Sequence, residues 1–118
     1  MVLSAFQHGI HFTPRTADRY ARLAASSSFV AALAHDLPRT PAPGVRGVAL
    51  RAVDPLRAEW NVTVVGAHFA AAFVARDLGD DGSDGARRFD YCITYERDLV
   101  IRAAQALLVA VDPVRGTA

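Results

Sequence analysis

The stretch Phe89-Asp90-Tyr91-Cys92-Ile93-Thr94-Tyr95 alternates large apolar and polar side chains without a break. A period of two is the mark of a strand with one buried face, so a sheet must be part of the fold. A second strand reads from Trp60-Asn61-Val62-Thr63-Val64-Val65, with Trp60, Val62 and Val64 on one face of the pleat. A third reads from residues 45–52, where Val48 and Leu50 alternate. The connection Asp54-Pro55-Leu56-Arg57-Ala58-Glu59 is short and turn-prone, so the simplest arrangement of these two strands is an antiparallel hairpin. Phe6, Ile10 and Phe12 also alternate and suggest an N-terminal strand at an edge of the sheet.

Three segments carry helical spacing. Thr13 is placed to cap a helix whose first position is Pro14, and Leu23, Val30, Leu33, Ala34 and Leu37 recur at three- and four-residue intervals until Pro38, Pro41 and Pro43 stop it. Phe69, Ala72, Phe73 and Arg76 predict a second helix after Gly66, and Val100, Ala103, Ala104, Leu107 and Val111 predict a third from Arg97. The expected fold is α+β: a mixed sheet of three to four strands with three helices, in the order α-β-β-α-β-α with an N-terminal edge strand. The strand from Trp60, the helix after it and the strand at Phe89 are read as a right-handed parallel crossover.

A chain of 118 residues suits one domain, expected over residues 1–118 with its core at about 12–111. Apolar residues make up 52% and charged residues 21%, a globular composition. The net charge of +1 lacks the basic excess by which proteins displace counterions from phosphates, so no nucleic-acid partner is expected. All 13 basic residues other than histidine are Arg, as expected of a high-GC bacterial coding sequence. One cysteine cannot close an internal disulfide, which points to a reducing compartment, and the expected location is the cytoplasm. No cationic leader precedes an apolar stretch, and no run reaches the roughly 18 apolar residues of a membrane span, so neither secretion nor a membrane partner is expected.

Candidate chemistry is sparse. Cys92 lies mid-strand, where a buried structural thiol is expected, and no Gly-x-Ser-x-Gly elbow occurs. His8 and His11 would share a metal on a helix but diverge on a strand, and no third ligand is adjacent. The loop Gly79-Asp80-Asp81-Gly82-Ser83-Asp84-Gly85 places Gly82 at the third position of a calcium loop and Tyr91 at the twelfth, so it reads as a solvated linker. Gly66 reads as a tight turn, since the residues after it lack a dinucleotide fingerprint.

The segment Arg57-Ala58-Glu59-Trp60 gathers a cation, a carboxylate and an indole, either as the wall of a ligand pocket or as a core Trp with Glu59 paired to an Arg. Arg46, Arg76 and Arg88 stand near element ends, where they either hold an anionic ligand or face water. The candidate ligand-binding set is therefore Arg46, Arg57, Glu59, Trp60, Arg76 and Arg88, with no metal site, and the sequence names no cofactor. A small enzyme with Glu59 or Asp77 as base would need one of them desolvated in a cleft.

Several blocks in order carry a family resemblance. They are Arg15-Thr16, Arg19-Tyr20 before Leu23-Ala24-Ala25, Pro43-Gly44-Val45-Arg46-Gly47-Val48 and Asp54-Pro55-Leu56-Arg57-Ala58-Glu59-Trp60. Val64-Val65-Gly66-Ala67-His68-Phe69-Ala70-Ala71, Ala75-Arg76-Asp77-Leu78, Arg88-Phe89 and Thr94-Tyr95-Glu96-Arg97-Asp98-Leu99-Val100 follow. From about Phe12 to Val111 the chain resembles the DICT sensory domain of diguanylate cyclases and two-component systems, with Ala67 standing where that family favours Pro. The resemblance implies an α+β fold around a four-stranded sheet and a sensory module without catalytic residues. It also implies company with cyclic-dinucleotide enzymes, histidine kinases or transcription regulators, and a role in light response is proposed for the family.

No output domain is read in these residues, so the expected partner is a signalling protein or output domain in trans, alongside a small-molecule ligand. The leading expectation is a bacterial signal-sensing domain that regulates such a partner. The alternative is a ligand-free module that dimerises through its last helix or an exposed sheet face, for which contiguous apolar surface would be the signature.

Overall fold

A computed structural model describes residues 1–51, 54, 56, 59–77 and 89–111. Its strands are β1 (Val2–His8), β2 (Val30–His35), β3 (Arg46–Ala49), β4 (Glu59–Val65), β5 (Ala70–Asp77) and β6 (Phe89–Thr94). Its helices are α1 (Pro14–Ser26) and α2 (Arg97–Val111), with a 3-10 turn at Gly9–His11. The strands form one six-stranded sheet in the order β3-β2-β1-β4-β5-β6. β1, β2 and β3 run parallel, whereas β4, β5 and β6 form an antiparallel meander joined to β1.

The fold is thus α+β with a mixed sheet, but it has six strands and two helices rather than three to four strands and three helices. Each difference has a physical cause. α1 starts as its signals predict, with the Thr13 side chain accepting from the Thr16 N–H at 3.3 Å and Pro14 in the first turn. It stops at Ser26, and the predicted continuation through Leu33 and Ala34 is β2. Val30, Ala31, Ala32, Leu33 and Ala34 are all buried, because β2 lies between β1 and β3 with a helix layer on each side. A strand covered on both faces shows no alternation, and its apolar run mimics a helix at three- and four-residue spacing.

The second predicted helix is β5. Alanine favours a helix by only tenths of a kcal/mol per residue, a bias that ladder bonds to two neighbouring strands override here. A tight reversal, in which the Gly66 N–H donates to the Phe69 carbonyl at 2.7 Å, returns the chain antiparallel to β4 and removes the predicted crossover. β3 and β4 do not form the expected hairpin, since β2 and β1 lie between them. The N-terminal strand, expected at an edge, is central.

Alternate residues of β1 and β2 feed two cores. Val2, Val30, Ala32 and Ala34 meet Tyr20 and the apolar side of α1. Leu3, Ala5, Ala31 and Leu33 meet Leu50 and, from α2, Ala104 and Leu107. Further along α2, Val100 packs on Ala70 and Ala72 of β5. β4 inverts the expectation from hydropathy. Trp60, Val62 and Val64 do share a face, but Asn61 and Thr63 are the buried residues and Val62 is exposed.

Candidate functional site

A concavity of about 770 Å³ opens where the β3 edge of the sheet meets the C-terminal turns of α2. Val48, Leu50, Leu56, Val109 and Val111 supply apolar lining, and Arg39, Arg46, Arg51 and Asp54 supply charge. Local chain geometry brings these groups together. The Gly47 N–H donates to the Arg39 carbonyl at 2.7 Å, which folds the loop after β2 over the β3 edge. A side chain at Gly47 would collide with the Pro38 carbonyl, so the crossing requires glycine. On the far side, the Leu50 N–H donates to the Ala34 carbonyl at 2.8 Å and the Asp54 N–H to the Arg51 carbonyl at 3.0 Å. The Asp54 carboxylate accepts from the Leu56 N–H at 3.0 Å, closing an Asx turn that holds Leu56 at the lining. Three guanidinium groups against one carboxylate give the opening a positive potential suited to an anionic group. The apolar floor suits a hydrocarbon or aromatic body.

A second cluster gathers where β1 and β2 end and β4 begins. The His8 and His35 rings are 5.6 Å apart, His8 and His11 are 6.3 Å apart, and His11 lies 4.6 Å from Trp60. Trp60 also meets Phe6 edge-on at 6.3 Å. Gln7 and Asp36 adopt left-handed backbone here (φ 66° and 64°), and the register of β1 on β2 shifts between Ala5 and His8. Among the described residues no group of three or more His, Cys, Asp or Glu could hold a metal ion.

The described candidate residues, Arg46, Glu59, Trp60 and Arg76, do not converge. Arg46 lines the pocket at β3. Trp60 is half-buried in the aromatic and histidine cluster, three strands from Arg46, a separation of roughly 14 Å at ordinary strand spacing. Glu59 faces Arg76 across the β4–β5 ladder, where the two form a cross-strand pair outside the pocket. Arg57, Arg88 and the acidic glycine loop lie outside the described residues. Cys92, expected to be buried, is exposed on the edge strand β6. Arg39 and Arg51 were missed; for Arg39 the available signal was Gly47, whose close approach to Pro38 brings the loop after β2 beside β3, while Arg51 follows β3 directly in the chain.

Fold and site together define an α+β domain with a pocket of small-molecule size at one edge of a mixed sheet. Residues 1–78 match the family model of DICT, described as a sensory domain in diguanylate cyclases and two-component systems, and the chain belongs to this family. The blocks from Arg15 to Leu78 fall inside that match, whereas Arg88-Phe89 and Thr94 to Val100 fall beyond it. Comparisons with curated proteins and with solved structures gave no match. Among the described residues no helix is long and apolar enough to cross a membrane.

Proposed function

We propose that this chain is a signal-sensing domain that takes a small anionic ligand with an apolar body into the pocket between β3 and α2, and thereby regulates a signalling partner. Membership of a sensory family supports the sensing role. The observation that carries the ligand class is the 770 Å³ concavity, well inside the 300–1,000 Å³ range of small-molecule sites, with Arg39, Arg46 and Arg51 around an apolar lining. Val109, Ala110 and Val111 form the α2 wall, so occupancy favours one seating of this helix over another and shifts a two-state equilibrium that a partner can read. A pigment with an acidic group is one ligand of this class, and it would connect the domain to light. The setting we propose is a bacterial cytoplasm, in keeping with the arginine-only composition and the single cysteine.

Native mass spectrometry of the protein purified from its own host tests this directly. The expected result is a retained extra mass of a few hundred daltons, a range typical of ligands for such pockets. That mass should be lost from Arg39→Ala and Arg46→Ala variants, and an absorbance scan of the same sample detects a pigment. Unchanged occupancy in both variants, or a bare chain in all preparations, would refute the assignment of this pocket.

A further inference from the structure

The sheet is covered unevenly. α2 lies on one face, and α1 covers the β1 and β2 part of the other. Beyond β1 on that second face, Val62 is 38% exposed, Phe73 38%, Ile93 55% and Tyr91 70%. The register sets Val62, Phe73 and Ile93 in one row across β4, β5 and β6, with Tyr91 beside Phe73 at 6.5 Å between ring centroids. The apolar surface continues past the strand ends at Phe69 and Tyr95, whose rings are 6.3 Å apart. Glu59 and Arg76 alternate to the opposite face.

We infer that two copies of this chain stack these bare half-sheets face to face, as an isologous dimer. These six side chains leave roughly 600–700 Å² of mainly apolar surface in water, close to the 800 Å² or so that each partner contributes to a standard specific interface. Monomers seldom expose a contiguous apolar patch of that size without a function. Shape agrees with area. A helix is about 10 Å thick and stacked sheets lie about 10 Å apart, so the uncovered strands form a recess one layer deep beside α1. A second sheet fills a recess of that depth. The surface is aromatic and aliphatic, with no charge among these six residues to select a different partner, and a two-fold axis brings it against its own like. Copies of net charge +1 repel one another only weakly. The dimer does not depend on the ligand assignment, because the pocket lies at the opposite end of the sheet.

Sedimentation velocity from about 1 to 300 µM, the range in which standard interfaces of modest affinity assemble, reads the association. The expected result is a species of twice the chain mass. Ile93→Glu and Tyr91→Lys should each weaken association at least tenfold while leaving far-ultraviolet circular dichroism and, at dilutions where both are monomeric, the thermal midpoint unchanged, since both side chains are exposed. The single cysteine supplies a second readout. Cys92 pairs with Val74 in register and so alternates to the face opposite the interface. Nitroxides on Cys92 should therefore lie more than about 20 Å apart across two stacked sheets, whereas edge pairing through β6 would bring them within about 15 Å. A monomer at every concentration, a dimer that survives both variants, or the short distance would overturn the proposal. Coverage of this face by a different protein instead would appear as the first of these.

Discussion

Tyr20 is the aromatic residue of α1 that reaches the sheet. Its hydroxyl meets the Ser4 hydroxyl at 2.6 Å, within a layer where Phe6 and Phe12 stack edge-on at 5.5 and 5.7 Å. Tyr20→Phe leaves Ser4 buried without that partner and should lower unfolding stability by about 1–2 kcal/mol, read from urea midpoints. Burial also raises the Tyr20 pKa, against smaller lowering effects of the Ser4 hydrogen bond and the nearby Arg19. The unfolded phenol ionises first, so stability is complete below the ordinary value near 10 and is lost as pH rises from there through the folded value. The Phe variant should lose less stability than the parent between pH 8 and about pH 10.5. At this scale the sequence was partly readable. Thr13, Pro14 and Gly66 act as their residue types require, because caps and turns are local. Arg39 was not, because it reaches the pocket through the backbone crossing at Gly47, nor was Arg51, which follows β3 in the chain and lines a pocket that α2 completes.

Among the elements, β4 departs furthest from its hydropathy. Asn61 earns its buried place, with its side-chain carbonyl accepting from the Ala5 N–H at 3.1 Å across the seam between the two halves of the sheet. Thr63 does not: its hydroxyl is buried and has no hydrogen-bond partner among the described residues. Thr63→Val keeps the β-branched shape and removes an unsatisfied polar atom, so it should stabilise the fold by about 1 kcal/mol, seen as a raised thermal midpoint. β6 and α2 were legible because each keeps its period, although β6, expected to bury one face, is exposed on both at Tyr91, Cys92 and Ile93. β2 and β5 were not. Val30–Ala34 is buried on both sides, and the alanines of β5 read as helix until the strands beside them are known. The central place of β1 depends on pairing with residues 30–33 and 60–64, which no local pattern records.

For the whole molecule, the sensory class came from the order of short blocks along the chain and is upheld by the match over residues 1–78. The site was less accessible. Of the six candidate residues, Arg46 reaches the pocket, while Glu59 and Arg76 pair across a ladder and Trp60 joins the histidine cluster. The hairpin expected between the strands that carry Arg46 and Trp60 does not form, because β2 and β1 lie between them.

α2 links the two ends of this architecture. Val100 rests on β5, whose other side carries Phe73, and Val109 to Val111 form a wall of the pocket. A guest that tilts this beam at one end loads the strands at the other, and the reverse holds by thermodynamic reciprocity. Saturating ligand should therefore change the self-association constant at least fivefold, and Ile93→Glu, by keeping the chain monomeric, should change the affinity at each ligand site by at least the square root of that factor, roughly twofold, both measurable by titration calorimetry. A domain built this way answers to its own abundance as well as to its signal, so that a crowded cell and a sparse one would set different thresholds for the same stimulus.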